Sequence, residues 1–340
     1  MVQNRFHNLK GSAILCVAAL VWGLAFVAQN QASDLVPPFL FNSLRSLIAS
    51  LFLFILLLLR KLKTGQPILR AEPAGIKKTW LGGLICGFAL TFAVNFQQAG
   101  IGVYPEGTAV EARGAFLTVM YVIFVPLLSV LFLRKRLQLP VIGAILLSVV
   151  GIYFLSAAGE VGGFYLGDLF MLACALTTSV HIICVDRFGG GIGGIQLSML
   201  QFLFCGIFSA VLSLCTEEIV FSAILHAAPQ ILYLGIMSSG VGYTLQIFGQ
   251  KYAEPAIAAI TMSLESVFAA LGGWLISGNT LTVYELIGCA LVFAAILLCQ
   301  TPLFFDKSKK AVADAAIGVN SGEAETDELP DDQKPDDRKN

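Results

Sequence analysis

The stretch Pro38–Arg60, PFLFNSLRSLIASLFLFILLLLR, decides the fold class. Between its opening proline and its closing arginine it carries a single charge, Arg45, in a run long enough to cross a hydrocarbon core of about 30 Å as a helix. Runs of the same kind recur on either side. Their coarse limits are 11–32, 38–59, 79–100, 107–133, 140–157, 166–186, 195–215, 229–251, 255–276 and 283–301. A lipid-embedded backbone must satisfy its own hydrogen bonds, and these runs can do so as helices. The sequence therefore predicts an all-α integral membrane protein with ten transmembrane helices. Composition agrees, since 57% of residues are hydrophobic and 13% charged, about half the charged fraction of soluble domains.

Charge placement predicts orientation. With the N-terminus inside, Arg60, Lys61, Lys63, Arg70, Lys77, Lys78, Arg134, Lys135, Arg136, Arg187, Lys251 and the Lys307–Lys310 cluster all fall in cytoplasmic segments. The opposite loops, Ser33–Pro37, Ala157–Tyr165 and Thr216–Ala228, contain no lysine or arginine. Both termini are thus expected in the cytoplasm of a multi-pass protein of the cell membrane. Arg5 and Lys10 before the first run resemble a signal-peptide n-region, but that run is long and lacks a clear cleavage site, so it reads as the first span. Residues 1–10 read as a cytoplasmic tail, and the acidic segment 302–340 as a disordered one. Pro126 should kink the fourth span, whereas Pro37-Pro38, Pro105, Pro140, Pro229 and Pro255 sit at helix starts. The eight cysteines lie in or beside apolar runs without a Cys-x-x-Cys pair, which predicts neither a disulfide framework nor a metal site. No basic stripe with interleaved aromatics points to nucleic acid.

A weak internal repeat organises the chain. Met120–Leu137 (MYVIFVPLLSVLFLRKRL) can be laid on Leu264–Leu281 (LESVFAALGGWLISGNTL) without a gap. Each is followed by a short glycine-bearing apolar helix, which divides the chain into halves 11–157 and 166–301 of five spans each. An odd number of crossings per half inverts the second copy, an arrangement that places a solute site near the midplane. Several segments also resemble one family. They are Val21-Trp22-Gly23-Leu24-Ala25-Phe26, the Pro37-Pro38 start followed by Arg45, Ala112-Arg113-Gly114-Ala115-Phe116-Leu117-Thr118, Gly167-Asp168-Leu169, and Leu264-Glu265-Ser266-Val267-Phe268-Ala269-Ala270. In order and spacing the chain resembles the EamA family of the drug/metabolite transporter superfamily. The resemblance implies a ten-helix bundle of two inverted five-helix repeats that carries metabolites, without naming the solute. Two departures stand out: Ser266 where the family often has proline, and Asn279-Thr280 where it often has a glutamate and a second residue.

Ionisable residues within spans mark functional sites. Arg45, Glu111, Arg113 and Glu265 are the clear cases. From the helix rise, Arg45 lies about 10 Å deep, Glu111 and Arg113 roughly 6–9 Å, and Glu265 about 15 Å. Glu111 and Arg113 point to nearly opposite sides of their helix. The expectation is Arg113 with Tyr121 in the cavity and Glu111 with Arg45 as a buried ion pair; one charge network without solute contact is the alternative. A second set is polar but uncharged: Trp22 and Gln29 on the first span with Phe26 between them, Asn95 and Gln98 on the third, and Tyr243, Gln246 and Gln250 on the eighth. These amides either line the cavity or bond between helices. His181 and Glu265 are candidates for proton coupling, and the alternative for His181 is packing. Gly83, Gly87 and Gly272-Gly273 predict close helix contact.

The function these residues favour is secondary transport of a small metabolite or amphipathic solute by alternating access, export before import. Protons or a counter-transported solute would supply coupling. No cofactor is expected, because Gly189–Gly194 lacks the lysine and hydroxyl of an ATP-binding loop. A membrane-embedded enzyme would need clustered catalytic groups at one face, but His7, His181 and His226 are dispersed. A receptor or scaffold without flux is the third reading.

Overall fold

The computed structural model describes residues 2–33, 35–69, 75–105, 114–115, 117–134, 137, 139–156, 165–277 and 282–299. Among these, the helices are α1 (Val2–Ser33), α2 (Pro38–Thr64), α3 (Ile76–Gly102), α4 (Tyr121–Leu133), α5 (Leu139–Ser156), α6 (Leu166–Gly189) and α7 (Gly194–Thr216). There follow α8 (Phe221–His226), α9 (Ala228–Tyr233), a π-helical segment Leu234–Gly242, α10 (Tyr243–Gln250), α11 (Pro255–Met262), α12 (Leu264–Ser277) and α13 (Val283–Cys299). Six helical stretches are long and apolar enough to cross a membrane: Pro38–Thr64, Ile76–Gly102, Leu166–Gly189, Gly194–Thr216, Ala228–Gln250 and Pro255–Gly272. Shorter apolar stretches occur at Leu9–Ala25, Tyr121–Leu133, Leu139–Phe154 and Leu286–Leu298. The chain is an all-helical, multi-pass membrane protein. Large apolar side chains such as Leu131, Phe132 and Leu139 stand outward, where lipid rather than water is their solvent.

The helices start and stop for local reasons. Pro38 opens α2 as expected, and Gly65 closes it in the left-handed conformation at φ 70°, which glycine adopts without strain. Two of the α2 amides left free by the helix start, those of Phe39 and Leu40, both donate to the Glu217 carboxylate beyond the end of α7, each at 2.8 Å. Asp168 secures α6 similarly, accepting from the Tyr165 amide (2.8 Å) and the Tyr104 hydroxyl (2.9 Å). The first helix begins at Val2, nine residues before the apolar run starts. Two outcomes differ from the sequence expectation. The eighth span is not a plain helix but passes through nine π-helical residues. The ninth is interrupted by a turn at Ser263. The acidic segment 302–340 lies outside the described residues.

Helix α2 packs on α7, α3 on both α6 and α7, α5 on α13, and α1 on α12, α10 and the π segment. Two kinds of contact hold the α2–α3–α7 seam. Backbones approach closely at glycines: a Cβ on Gly83 would sit 2.4 Å from the Leu200 Cβ, and one on Gly87 would sit 2.7 Å from the Gln201 carbonyl oxygen. Polar side chains then bond across the gap. Asn42 donates to the Val94 carbonyl and to Asn95 Oδ1 at 2.9 Å each, and Asn95 donates to the Ser209 hydroxyl at 2.8 Å. Small residues plus interhelical hydrogen bonds are the means by which helices associate in lipid, where the hydrophobic effect adds little.

Candidate functional site

Inside the bundle lies a cavity with about 720 Å³ of empty space, its open mouth included. Its walls come from α1 (Trp22, Gln29), α2 (Arg45), α3 (Gln97), α6 (Thr178, His181), the π segment (Ser238), α10 (Tyr243, Gln246), and the residues that start α4 and α12, Tyr121 and Glu265. Close packing places several of these. A Cβ on Gly23 would lie 2.7 Å from the Glu265 carbonyl oxygen and 2.6 Å from the Phe268 Cβ, so α1 rides directly on the start of α12. That contact carries the neighbouring Trp22 into the cavity wall. Trp22 donates from Nε1 to the Ser238 carbonyl at 3.2 Å, and its ring lies 4.7 Å from that of Tyr243. Tyr243 in turn meets the edges of Phe202 and His181, at 5.3 Å and 5.9 Å between ring centres.

Arg45 is buried, with 3% of its surface exposed. Its Nη1 donates to Gln29 Oε1 at 3.4 Å and its guanidinium lies 5.5 Å from the Phe41 ring centre. Its Nε has no partner among the described residues. Gln29 is held from its other side, donating to Gln97 Oε1 at 3.0 Å. The Tyr121 hydroxyl faces the Glu265 carboxyl but stands outside strict hydrogen-bond geometry with it. Gln246 Oε1 is buried and unbonded among the described residues. Two buried polar atoms without a partner among the described residues, Arg45 Nε and Gln246 Oε1, therefore belong to residues of one wall. Buried polar groups are normally bonded, so these two leave hydrogen-bonding capacity for a partner from outside the protein.

The structure brings together Trp22, Gln29, Tyr121, Tyr243, Gln246, His181 and Glu265 from the sequence-based set. Arg45 joins them on the wall, where no carboxylate among the described residues pairs with it. Glu111 and Arg113, and with them the expected ion pair and the expected cavity arginine, lie outside the described residues. Asn95 and Gln98 stand apart from the cavity wall. Asn95 is committed to Asn42 and Ser209 in the α2–α7 seam, and Gln98 turns toward the Gln29 carbonyl at 3.5 Å. The adjacent Gln97 takes the wall position instead, because one residue is about 100° of helix rotation. Gln250 also turns away, donating to the Ile182 carbonyl at 3.2 Å. His181 is on the wall yet bonded to Gln201 Oε1 at 3.0 Å. Ser238 went unread because its role depends on the π segment, which has no simple sequence signature. Among the described residues no His, Cys, Asp and Glu cluster could hold a metal ion.

Known proteins place this arrangement in context. The model of the EamA-like transporter family matches residues 9–157 and again 165–300. An uncharacterized transporter of Archaeoglobus fulgidus is 29% identical over 287 residues, which is 84% of this chain and 83% of that protein. The Bacillus subtilis uncharacterized transporter YvbV is 26% identical over 328 residues, 95% of this chain and 100% of the relative. A solved crystal structure has the same fold, with a TM-score of 0.67 at 20% identity over 86% of this chain and 96% of that one.

Proposed function

Given that the chain belongs to the EamA-like transporter family, we propose that it is a secondary transporter that moves a small metabolite or amphipathic solute out of the cell by alternating access. The observation that carries this reading is the polar cavity inside the bundle, on whose wall Arg45 and Gln246 keep buried polar atoms unbonded among the described residues. A solute with an anionic group for Arg45 and an apolar body for Trp22 and Tyr243 would satisfy both kinds of wall. Glu265 is the proposed proton-coupling group and His181 an auxiliary to it; exchange against a second solute is the other coupling mode.

Two observations support ten crossings in two inverted halves, 11–157 and 166–301. The family model matches the chain twice in succession. Helix contacts also pair as an exchange of halves requires: the second span meets the seventh, the fifth meets the tenth, and the third-on-sixth contact has its counterpart in eighth-on-first. Lysine and arginine placement supports cytoplasmic termini in the cell membrane.

The test compares metabolites in cells and medium with the gene deleted and overexpressed, followed by flux into vesicles holding the purified protein. Export predicts a compound that accumulates inside the deletion strain and outside the overexpressing one; the opposite shift would indicate uptake. Arg45→Gln should reduce flux of that compound by about tenfold or more, the scale of a lost charged hydrogen bond. Absence of flux of any compound altered by the deletion would favour a scaffold.

A further inference from the structure

A second concavity opens on the outer, apolar side of the bundle, away from the central cavity. Leu51 and Phe54 of α2, Trp80 of α3, and Met199 and Leu203 of α7 form its walls, and Ile68 closes one end. It holds about 790 Å³ of empty space, its open side included. The one hydroxyl in the wall, that of Ser50, is already committed to the Met199 carbonyl at 3.1 Å, so the groove offers almost nothing to a polar occupant.

Its end is different. On α2, Leu47, Leu51 and Phe54 follow a spacing of three to four with Lys61 two turns further on, and on α3 Lys77 stands one turn before Trp80. Helical geometry thus continues each apolar wall into an ammonium group. Both lysines are exposed. Arg60 donates from Nη2 to the Pro67 carbonyl at 3.0 Å, which ties down the stretch leading to Ile68 at the groove's end. The described residues from 60 to 78 include Arg60, Lys61, Lys63, Lys77 and Lys78 and no acid.

We propose that this groove is a binding site for an anionic phospholipid, with one acyl chain between α2, α3 and α7 and the phosphate on Lys61 and Lys77. An apolar slot whose walls both lead to a lysine matches an amphiphile of that charge, and basic clusters beside membrane helices attract anionic headgroups. Trp80 lines the groove one turn from Lys77, a position that suits the chain–headgroup boundary where tryptophan is enriched. The site is independent of what the central cavity carries.

Trp80 also provides the readout. The full chain is placed in phosphatidylcholine nanodiscs that contain increasing fractions of acyl-brominated phosphatidylglycerol or acyl-brominated phosphatidylcholine. The Trp80 contribution to fluorescence is taken as the difference from Trp80→Phe. Quenching by the anionic lipid should saturate at a several-fold lower mole fraction than quenching by the zwitterionic one. The double variant K61Q/K77Q, or raised salt on the unaltered protein, should bring the two curves together. Identical curves for the two headgroups in the unaltered protein would overturn the proposal. So would the absence of quenching by either lipid, the result expected if a second copy of the chain covered the groove.

Discussion

In the fourth span a turn at Val119–Met120 precedes α4; in the ninth, a turn at Ser263 separates α11 from α12. At the first, the amides of Val122 and Ile123 bond to carbonyls three residues back, both at 2.9 Å, in place of a regular helical ladder. At the second, the Ser263 hydroxyl donates to the Ile260 carbonyl at 2.7 Å and the Ser266 amide bonds to the Ser263 carbonyl at 3.2 Å. The gap-free register of Met120–Leu137 on Leu264–Leu281 sets Val119 on Ser263 and Tyr121 on Glu265. One backbone device therefore delivers a residue at the start of the following helix, Tyr121 or Glu265, to the cavity wall in both places. The chemistry delivered differs: a phenol from the fourth span, a carboxyl from the ninth. An interrupted helix is a means of aiming a side chain, and the choice of residue at that point sets what the cavity can bind or protonate. Neither break needs a proline; Pro126 lies within α4, one turn past its start.

Glu265→Gln should have the largest effect, because it removes the one titratable carboxyl at the two breaks. Vesicle flux should fall by about 10–100-fold, the scale of charged hydrogen bonds, and stimulation by a pH gradient should vanish. Unchanged stimulation would place coupling elsewhere. An exchange of residues sharpens the comparison: Glu265→Tyr alone should lose flux, and Y121E/E265Y should recover it several-fold if the two positions are equivalent. No recovery would mean that the breaks only look alike. Gly23→Ala attacks the packing that supports one break and not the other. Its Cβ would press on Phe268 and the Glu265 carbonyl, at a cost of about 1–3 kcal/mol, visible as a thermal midpoint lower by several degrees. The smallest effect should come from Tyr121→Phe, which deletes a hydroxyl that faces the Glu265 carboxyl outside strict hydrogen-bond geometry. Stability should stay level or rise slightly, and flux should change by less than about threefold unless the solute bonds to that oxygen.

Much of the membrane architecture was legible because it rests on composition and run length. Pro38 marks the start of α2, and Gly83 and Gly87 mark the face that meets α7, all from rules that act locally. Cavity residues were readable where helical spacing decides direction, as for Trp22 with Gln29 and Tyr243 with Gln246. Spacing could not decide between two adjacent amides, so Gln98 was chosen where Gln97 faces the cavity. Asn95 illustrates a second obstacle. Its polarity suggests a solute, yet it meets Asn42 and Ser209, residues distant in sequence whose positions follow only from the assembled bundle. The same holds for Arg45, whose partner among the described residues is the Gln29 amide rather than a carboxylate.

The π-helical stretch Leu234–Gly242 has a mechanical consequence. Its bonds reach five residues instead of four, so the chain there carries slack that an α-helix lacks. Passing one residue of that slack along the axis would turn everything after it by about 100° and advance it by about 1.5 Å. Tyr243 and Gln246 follow immediately, while Trp22 grips the Ser238 carbonyl from a different helix. Such a shift would be a gear with one coarse tooth: it would withdraw two cavity side chains together in a single discrete step, with no half-step that preserves the backbone hydrogen bonds.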